Sequence, residues 1–221
     1  MGTFAEEKGW IQNRLMFITL QDSQYSIKDQ VGDYLAGGGQ LVQFRVKGHL
    51  PRGLEREAGM IQRKCEQAEA RMIVNDYVDV AQEVGAWGVH LGQDDASPKA
   101  ARATLGPDAV VGATAHSWEE VLALKDAPID YIGLGPLHFT STKTNLAQIL
   151  GYQGVEDILG KMLSANINIP VYVVGGVENQ DVRPLIKMGA YGVAVSGSIA
   201  LASDIVFATQ KFLESIAKGI R

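Results

Sequence analysis

Short apolar runs rich in Val and Ile alternate along the chain with longer stretches of helical periodicity. That alternation predicts repeated β-α units around a parallel sheet. Eight strands are expected, at Leu15–Leu20, Leu41–Val46, Met72–Asn75, Gly88–Leu91, Ala109–Gly112, Ile129–Leu134, Pro170–Val174 and Gly192–Ser196. Apolar residues recur at three- and four-residue spacing most clearly over Leu54–Glu69, Val78–Val84, Trp118–Lys125 and Ile199–Ile216, which are read as helices. After the sixth strand no strong helix signal starts before about Val155. Eight such units predict a closed (β/α)8 TIM barrel filling residues 1–221 as a single domain, with 1–13 a short N-terminal extension or extra helix. A doubly wound sheet is disfavoured, because Gly133-Leu134-Gly135 does not continue to the third glycine of a dinucleotide fingerprint at His138.

Composition narrows the function. The 221 residues are 46% hydrophobic and 20% charged, the profile of an ordinary globular protein, and the formal charge is −5. No global basic field is then available to attract nucleic acid or an acidic membrane surface, so an anionic ligand needs a local cluster of cations. The lone cysteine, Cys65, excludes an internal disulfide and a cysteine-based zinc site, and is expected to be a core thiol. Met1 to Trp10 lacks the apolar stretch of a signal peptide, and no window nears the roughly 20 apolar residues of a membrane span. A cytoplasmic setting is expected.

In a (β/α)8 barrel, chemistry belongs at the C-terminal ends of the strands. Gln43, Arg45 and Lys47 are spaced by two and share one face at the end of strand two, where an Arg fork and a Lys ammonium would cradle an anion. The alternative turns that face to solvent. Asn75-Asp76 and Gln93-Asp94-Asp95 follow strands three and four; they either cap the next helices or supply carboxylates to a hard cation such as Mg²⁺, with Asp76 and Asp95 as ligands. Thr140-Ser141-Thr142-Lys143-Thr144 is a phosphate loop or a polar surface loop. Gly175-Gly176 and Ser196-Gly197-Ser198 fall where barrels often build a phosphate site from backbone N–H groups. His49, His90, His116 and His138 show no zinc spacing; His90 is expected to point into the barrel or satisfy a buried hydrogen bond, and His116 to cap the next helix.

Taken together, Gln43-x-Arg45-x-Lys47, Val74-Asn75-Asp76, Val89-His90-Leu91-Gly92-Gln93-x-Asp95, Thr140-x-Thr142-Lys143 and Val174-Gly175-Gly176 closely resemble the thiamine-phosphate synthase family, in order from about Leu15 to beyond Ile199. The resemblance implies a (β/α)8 barrel and a Mg²⁺-dependent transferase. Its reaction joins 4-amino-5-hydroxymethyl-2-methylpyrimidine diphosphate to a thiazole phosphate, giving thiamine monophosphate and pyrophosphate. By motif position it implies that Arg45, Lys47 and Lys143 hold the diphosphate and act in catalysis, that Asp76 and Asp95 bind Mg²⁺, and that Gln43 and Asn75 contact the aminopyrimidine. Thr140, Thr142, Gly176, Ser196 and Gly197 would receive the thiazole phosphate, and Thr114 stands at a substrate-binding serine position after strand five. Phe44, Tyr77, Ser196-Gly197 and a long segment from Asn145 to Gly151 depart from the family pattern, and Phe44 is expected to face the helices. Three other readings compete: a barrel that only isomerises the thiazole phosphate, a non-catalytic sensor of thiamine precursors, and a Schiff-base aldolase using Lys143. The partners expected are small molecules, with neither nucleic acid nor membrane, and a homo-oligomer is left open.

Overall fold

A computed structural model describes residues 13–48, 51–139 and 148–220. Eight parallel strands pair in chain order and close on themselves, β8 hydrogen-bonding back to β1. They are β1 (Leu15–Ile18), β2 (Leu41–Phe44), β3 (Arg71–Asn75), β4 (Gly88–Leu91), β5 (Val110–Ala115), β6 (Tyr131–Leu134), β7 (Val171–Val174) and β8 (Gly192–Val195). Between and after them lie α1 (Ile27–Ala36), α2 (Pro51–Gln67), α3 (Val78–Glu83), α4 (Pro98–Leu105), α5 (Trp118–Leu124), α6 (Gly151–Ser164), α7 (Asn179–Lys187), α8 (Gly197–Ala200) and α9 (Ile205–Ile220). The (β/α)8 barrel read from the periodicity is the observed fold. No helix among the described residues is long and apolar enough to cross a membrane. Of the expected N-terminal extension, only Asn13 is described.

Local chemistry sets the helix starts. Ser26, Ser97 and Ser117 precede α1, α4 and α5, and each side-chain oxygen accepts an N–H from the first turn. Asp204 does the same for α9, accepting the Phe207 N–H at 2.8 Å, and so breaks the continuous helix expected over Ile199–Ile216 into α8 and α9. The fifth strand runs three residues beyond Gly112, and α6 begins four residues ahead of Val155.

Side chains on each strand alternate between two cores. Outward positions such as Phe17, Val42, Phe44, Val74 and Val111 pack with the helices, as do Cys65 and Ile61 of α2. Inward positions Met16, Leu41, Ile73, Val110, Tyr131, Tyr172 and Ala194 fill the lumen. Glycine makes room for the large inward residues: a Cβ on Gly112 would lie 2.1 Å from the Tyr131 ring. Below, Tyr131, Tyr172 and Tyr191 meet edge to face at 5.4 and 5.5 Å, and the Arg14 guanidinium covers Tyr191 at 4.8 Å from its ring centre. The lower lumen is therefore plugged, and open volume is left only at the strand C-termini.

One buried charge ties the outer layer to the sheet. Asp130, just before β6, is 2% exposed; its carboxylate accepts the Val111 N–H at 2.7 Å and pairs with Arg102 of α4 at 2.6 Å. Removing one partner of such a pair leaves the other charge uncompensated. Asp130→Ala is expected to lower folding stability by about 3 kcal/mol in urea titrations, whereas breaking the surface ion pair of Lys211 with Glu214 should leave the midpoint nearly unchanged.

Candidate active site at the C-terminal mouth of the barrel

A cavity of about 810 Å³ opens above the plug, floored by Met16, Tyr131 and Tyr172. Every predicted site residue that falls among the described residues lines it: Gln43, Arg45 and Lys47 from the end of β2, Asn75, Asp76 and Asp95 from the ends of β3 and β4, Thr114 from β5, and Gly176, Ser196 and Gly197 from the far side. Thr140, Thr142 and Lys143 lie outside the described residues.

The charged wall is built by strand register. β2 ends at Phe44, so the alternation that sends Phe44 outward to the helices sends Gln43 inward, where it is 3% exposed. Arg45 and Lys47 continue the inward face beyond the strand, so the face that an exposed strand would turn to solvent lines the cavity instead. Thr19 holds this segment by exchanging hydrogen bonds with the Arg45 backbone at 2.8 and 3.0 Å. Burial lowers the Arg45 pKa, and the Asp76 charge partly restores it.

Asp76 follows β3 with φ of 69°, in the left-handed region that Asp enters more readily than most residues. Its N–H is fixed by the His90 carbonyl at 2.9 Å, and its carboxylate accepts a hydrogen bond from the Lys47 ammonium at 2.5 Å. Helix capping does not explain these acids: Tyr77 is the N-cap of α3, and Ser97 caps α4. Asp95 instead turns back to accept the Gly92 N–H at 2.6 Å and hydrogen-bonds to Asp76. Two carboxylates in contact cannot both ionise cheaply. Burial raises both; for Asp76 the hydrogen bonds from Lys47 and Asp95 and the charges of Lys47 and Arg45 outweigh it and hold the group below the usual range. For Asp95 the same hydrogen bond and the Asp76 charge add to burial, and its pKa is raised. The contact therefore divides the pair: Asp76 holds its charge more readily than an ordinary aspartate, and Asp95 less readily.

Beneath this cluster runs a chain of hydrogen-bonded polar groups. His90 Nδ1 lies 2.9 Å from the Tyr131 hydroxyl and Nε2 2.9 Å from the Thr114 hydroxyl, while the Gln43 side chain also hydrogen-bonds Tyr131. His90 points into the barrel as expected. Thr114 sits within β5 rather than after it, because that strand reaches Ala115; it is 4% exposed and meets the cavity from inside the sheet. His116 does not cap α5, a place Ser117 takes, but bonds Glu120 through its backbone N–H at 2.7 Å and through Nδ1 at 3.0 Å.

On the far wall, Gly175 and Gly176 have φ of 89° and 68°, and a Cβ on Gly176 would lie 2.9 Å from both the His138 Cβ and the Phe139 carbonyl. Ser196 starts α8 without a side-chain cap bond, and Ser198 donates to the Val177 carbonyl at 2.8 Å. Sequence spacing did not single out Tyr131, or the contact of His138 and Tyr152 with Asp181, because these partners meet only across strands and helices.

A (β/α)8 barrel whose polar cavity lies at the strand C-termini has the architecture of small-molecule barrel enzymes. Comparison with known proteins is specific. The thiamine monophosphate synthase family model matches residues 15–199, and the chain belongs to that family. A thiamine-phosphate synthase of Bacteroides fragilis is 38% identical over 199 residues, 90% of this chain and 98% of that protein. One from Flavobacterium johnsoniae is 36% identical over 211 residues, 94% and 98% of the two chains. The solved thiamine phosphate pyrophosphorylase of Pyrococcus furiosus superposes with a TM-score of 0.84 at 27% identity, covering 95% of this chain and 98% of its own.

The carboxylate pair makes a testable demand on stability. The folded state binds the Asp95 proton more tightly than the unfolded chain, so this group's contribution is present at low pH and lost as pH rises through its raised value; Asp76 has the opposite sign. Asp95→Asn cannot ionise and keeps an acceptor for Gly92. Thermal unfolding at pH 7 with a chelator is expected to give a higher Tm for Asp95→Asn than for the parent, with the gap closing below the ordinary aspartate value of 3.8. An equal or lower Tm at pH 7 would contradict the raised Asp95 value.

Proposed function

We propose that the cavity joins 4-amino-5-hydroxymethyl-2-methylpyrimidine diphosphate to a thiazole phosphate, releasing thiamine monophosphate and pyrophosphate, as a thiamine-phosphate synthase. The observation that carries this reading is the gathering of Arg45, Lys47, Asp76 and Asp95 on one wall of a cavity in a member of that family. Isomerising a thiazole phosphate, sensing precursors or forming a Schiff base would not call for this set.

The chemistry follows from the charges. Breaking the C–O bond between the pyrimidine methylene and the diphosphate leaves a carbocation, while negative charge grows on the departing pyrophosphate. Arg45 and Lys47, fixed beforehand by the Thr19 and Asp76 contacts, lower the energy of that charge more in the transition state than in the ground state. The resemblance assigns Lys143 to the same leaving group. No protein nucleophile is required, because the thiazole ring nitrogen attacks the cation directly. Gln43 and Asn75, 3% and 6% exposed, offer amides to the aminopyrimidine, and the His90–Thr114 contact steadies the hydroxyl at the same depth. Gly176, Ser196 and Gly197 leave backbone accessible for the thiazole phosphate, with Thr140 and Thr142 assigned to it by motif position.

The donor set suits Mg²⁺. Among the described residues no group of three or more His, Cys, Asp or Glu gathers to hold a metal, but Asp76 and Asp95 face the cavity as a hydrogen-bonded pair of carboxyl groups. Mg²⁺ is commonly held by one or two carboxylates plus substrate phosphates and water. Held by Asp76 and Asp95, it would supply positive charge to the leaving diphosphate. The small-molecule assignment also includes a cytoplasmic setting, supported by the low cysteine content with its lone, buried Cys65, and leaves the number of subunits to measurement.

Purified protein given both substrates and Mg²⁺ is expected to form thiamine monophosphate, detected by mass spectrometry, and to stop when a chelator is added. Lys47→Ala and Arg45→Ala should each lower kcat by about 100-fold or more, the scale of one lost transition-state charge contact. Parent-like turnover in both variants would remove the charged wall from the mechanism.

A further inference from the structure

The function above does not use the most buried carboxylate at the far wall. Asp181, in the first turn of α7, is 1% exposed. Its Oδ2 accepts the Glu178 N–H at 2.8 Å, which completes a capping box, and lies 3.1 Å from His138 Nε2. Its Oδ1 accepts the Tyr152 hydroxyl at 2.5 Å. A capping box needs only the first of these contacts. The other two reach segments distant in sequence: His138 follows β6, and Tyr152 lies in the first turn of α6.

Those segments are also tied to each other and to the β7 turn. The Leu137 and His138 N–H groups bond the Val174 and Gly175 carbonyls, both at 2.9 Å, and the Leu150 and Gly151 N–H groups return to the Pro136 and Leu137 carbonyls at 2.9 and 3.1 Å. His138 is half-exposed, lines the cavity, and lies against Gly176 so closely that no side chain fits there. Tyr152 does not line the cavity. Burial first, then the bond to Asp181 and its charge, push the Tyr152 hydroxyl up to about 12, so this group is a donor at working pH. A carboxylate this deeply buried is tolerated because donors surround it.

We propose that Asp181 is a positioning residue for the thiazole-phosphate side of the mouth: through His138 and Tyr152 it sets the shape of the Gly175–Gly176 turn that receives the acceptor phosphate. The proposal rests on the function proposed above for that wall. It separates the two halves of the site, since Arg45, Lys47, Asp76 and Asp95 come from the ends of β2, β3 and β4, on the opposite wall.

The test measures steady-state kinetics for each substrate, calorimetric binding of the thiazole phosphate alone, and Tm, for the parent, His138→Leu, His138→Gln and Tyr152→Phe. His138→Leu is expected to raise the thiazole-phosphate KM and its dissociation constant about tenfold, the effect of losing one hydrogen bond to a charged group, with the pyrimidine KM within about twofold of the parent. His138→Gln, whose amide donates to Asp181, should recover most of the loss. Tyr152→Phe, which removes a donor outside the cavity, should shift the same constant in the same direction. Equal movement of both KM values, a change in Tm alone, no rescue by Gln, or a silent Tyr152→Phe would overturn the positioning role. A parent that neither makes thiamine monophosphate nor binds the thiazole phosphate would instead overturn the function assigned to the wall.

Discussion

A closed eight-stranded barrel must fill its own lumen, and nearly everything else in this molecule follows from how far up it does so. Met16, Leu41, Ile73, Val110, Tyr131, Tyr172 and Ala194 pack the lower layers to interior density. The large rings fit only because glycine stands opposite, as at Gly112 and Gly192. Above that plug the same inward-facing positions become Gln43, Asn75, His90 and Thr114, and packing gives way to hydrogen bonding. The floor of the active site is thus the top layer of the core, rigid for the same reason the core is.

At the rim the constraint changes from volume to charge. Two carboxylates, a lysine and an arginine are brought together where water is partly excluded. Lys47 is paired with Asp76, Asp95 is held above the usual carboxylate range by burial and by Asp76, and Asp76 occupies a sparsely populated backbone region to take its place. Charges gathered in this way contribute little to stability, and under the proposed function they serve the substrate diphosphate and its cation.

Much of this was legible in the sequence, for reasons that differ by element. Strands buried on both faces read as short apolar runs, so their order and number were plain, and the two-residue period placed Gln43, Arg45 and Lys47 on one face. The break between α8 and α9 was missed although Ser203-Asp204 announces it, because apolar spacing carries across the gap. Thr114 lies inside β5 rather than just after it because the strand continues through small residues, Ala113 and Ala115, that give little strand signal. The Asp181 cluster was invisible for a deeper reason: His138 and Asp181 are 43 residues apart, and only the parallel pairing of β6 with β7 makes the sixth and seventh connections neighbours. Charge sharing between Asp76 and Asp95 was likewise set by the turn at Gly92, where no periodicity applies.

The central claim is that the Asp76–Asp95 wall is completed by a divalent cation and a diphosphate together rather than by either alone. Calorimetric titration of inorganic pyrophosphate into the protein, with Mg²⁺ and then with a chelator, tests it most directly, since coupling between two ligands is reciprocal. The account predicts that Mg²⁺ tightens pyrophosphate binding by tenfold or more, about 1.4 kcal/mol of coupling, and that Asp76→Asn abolishes the gain while leaving the weak metal-free binding to Arg45 and Lys47. Pyrophosphate binding of equal strength with and without Mg²⁺ would contradict it.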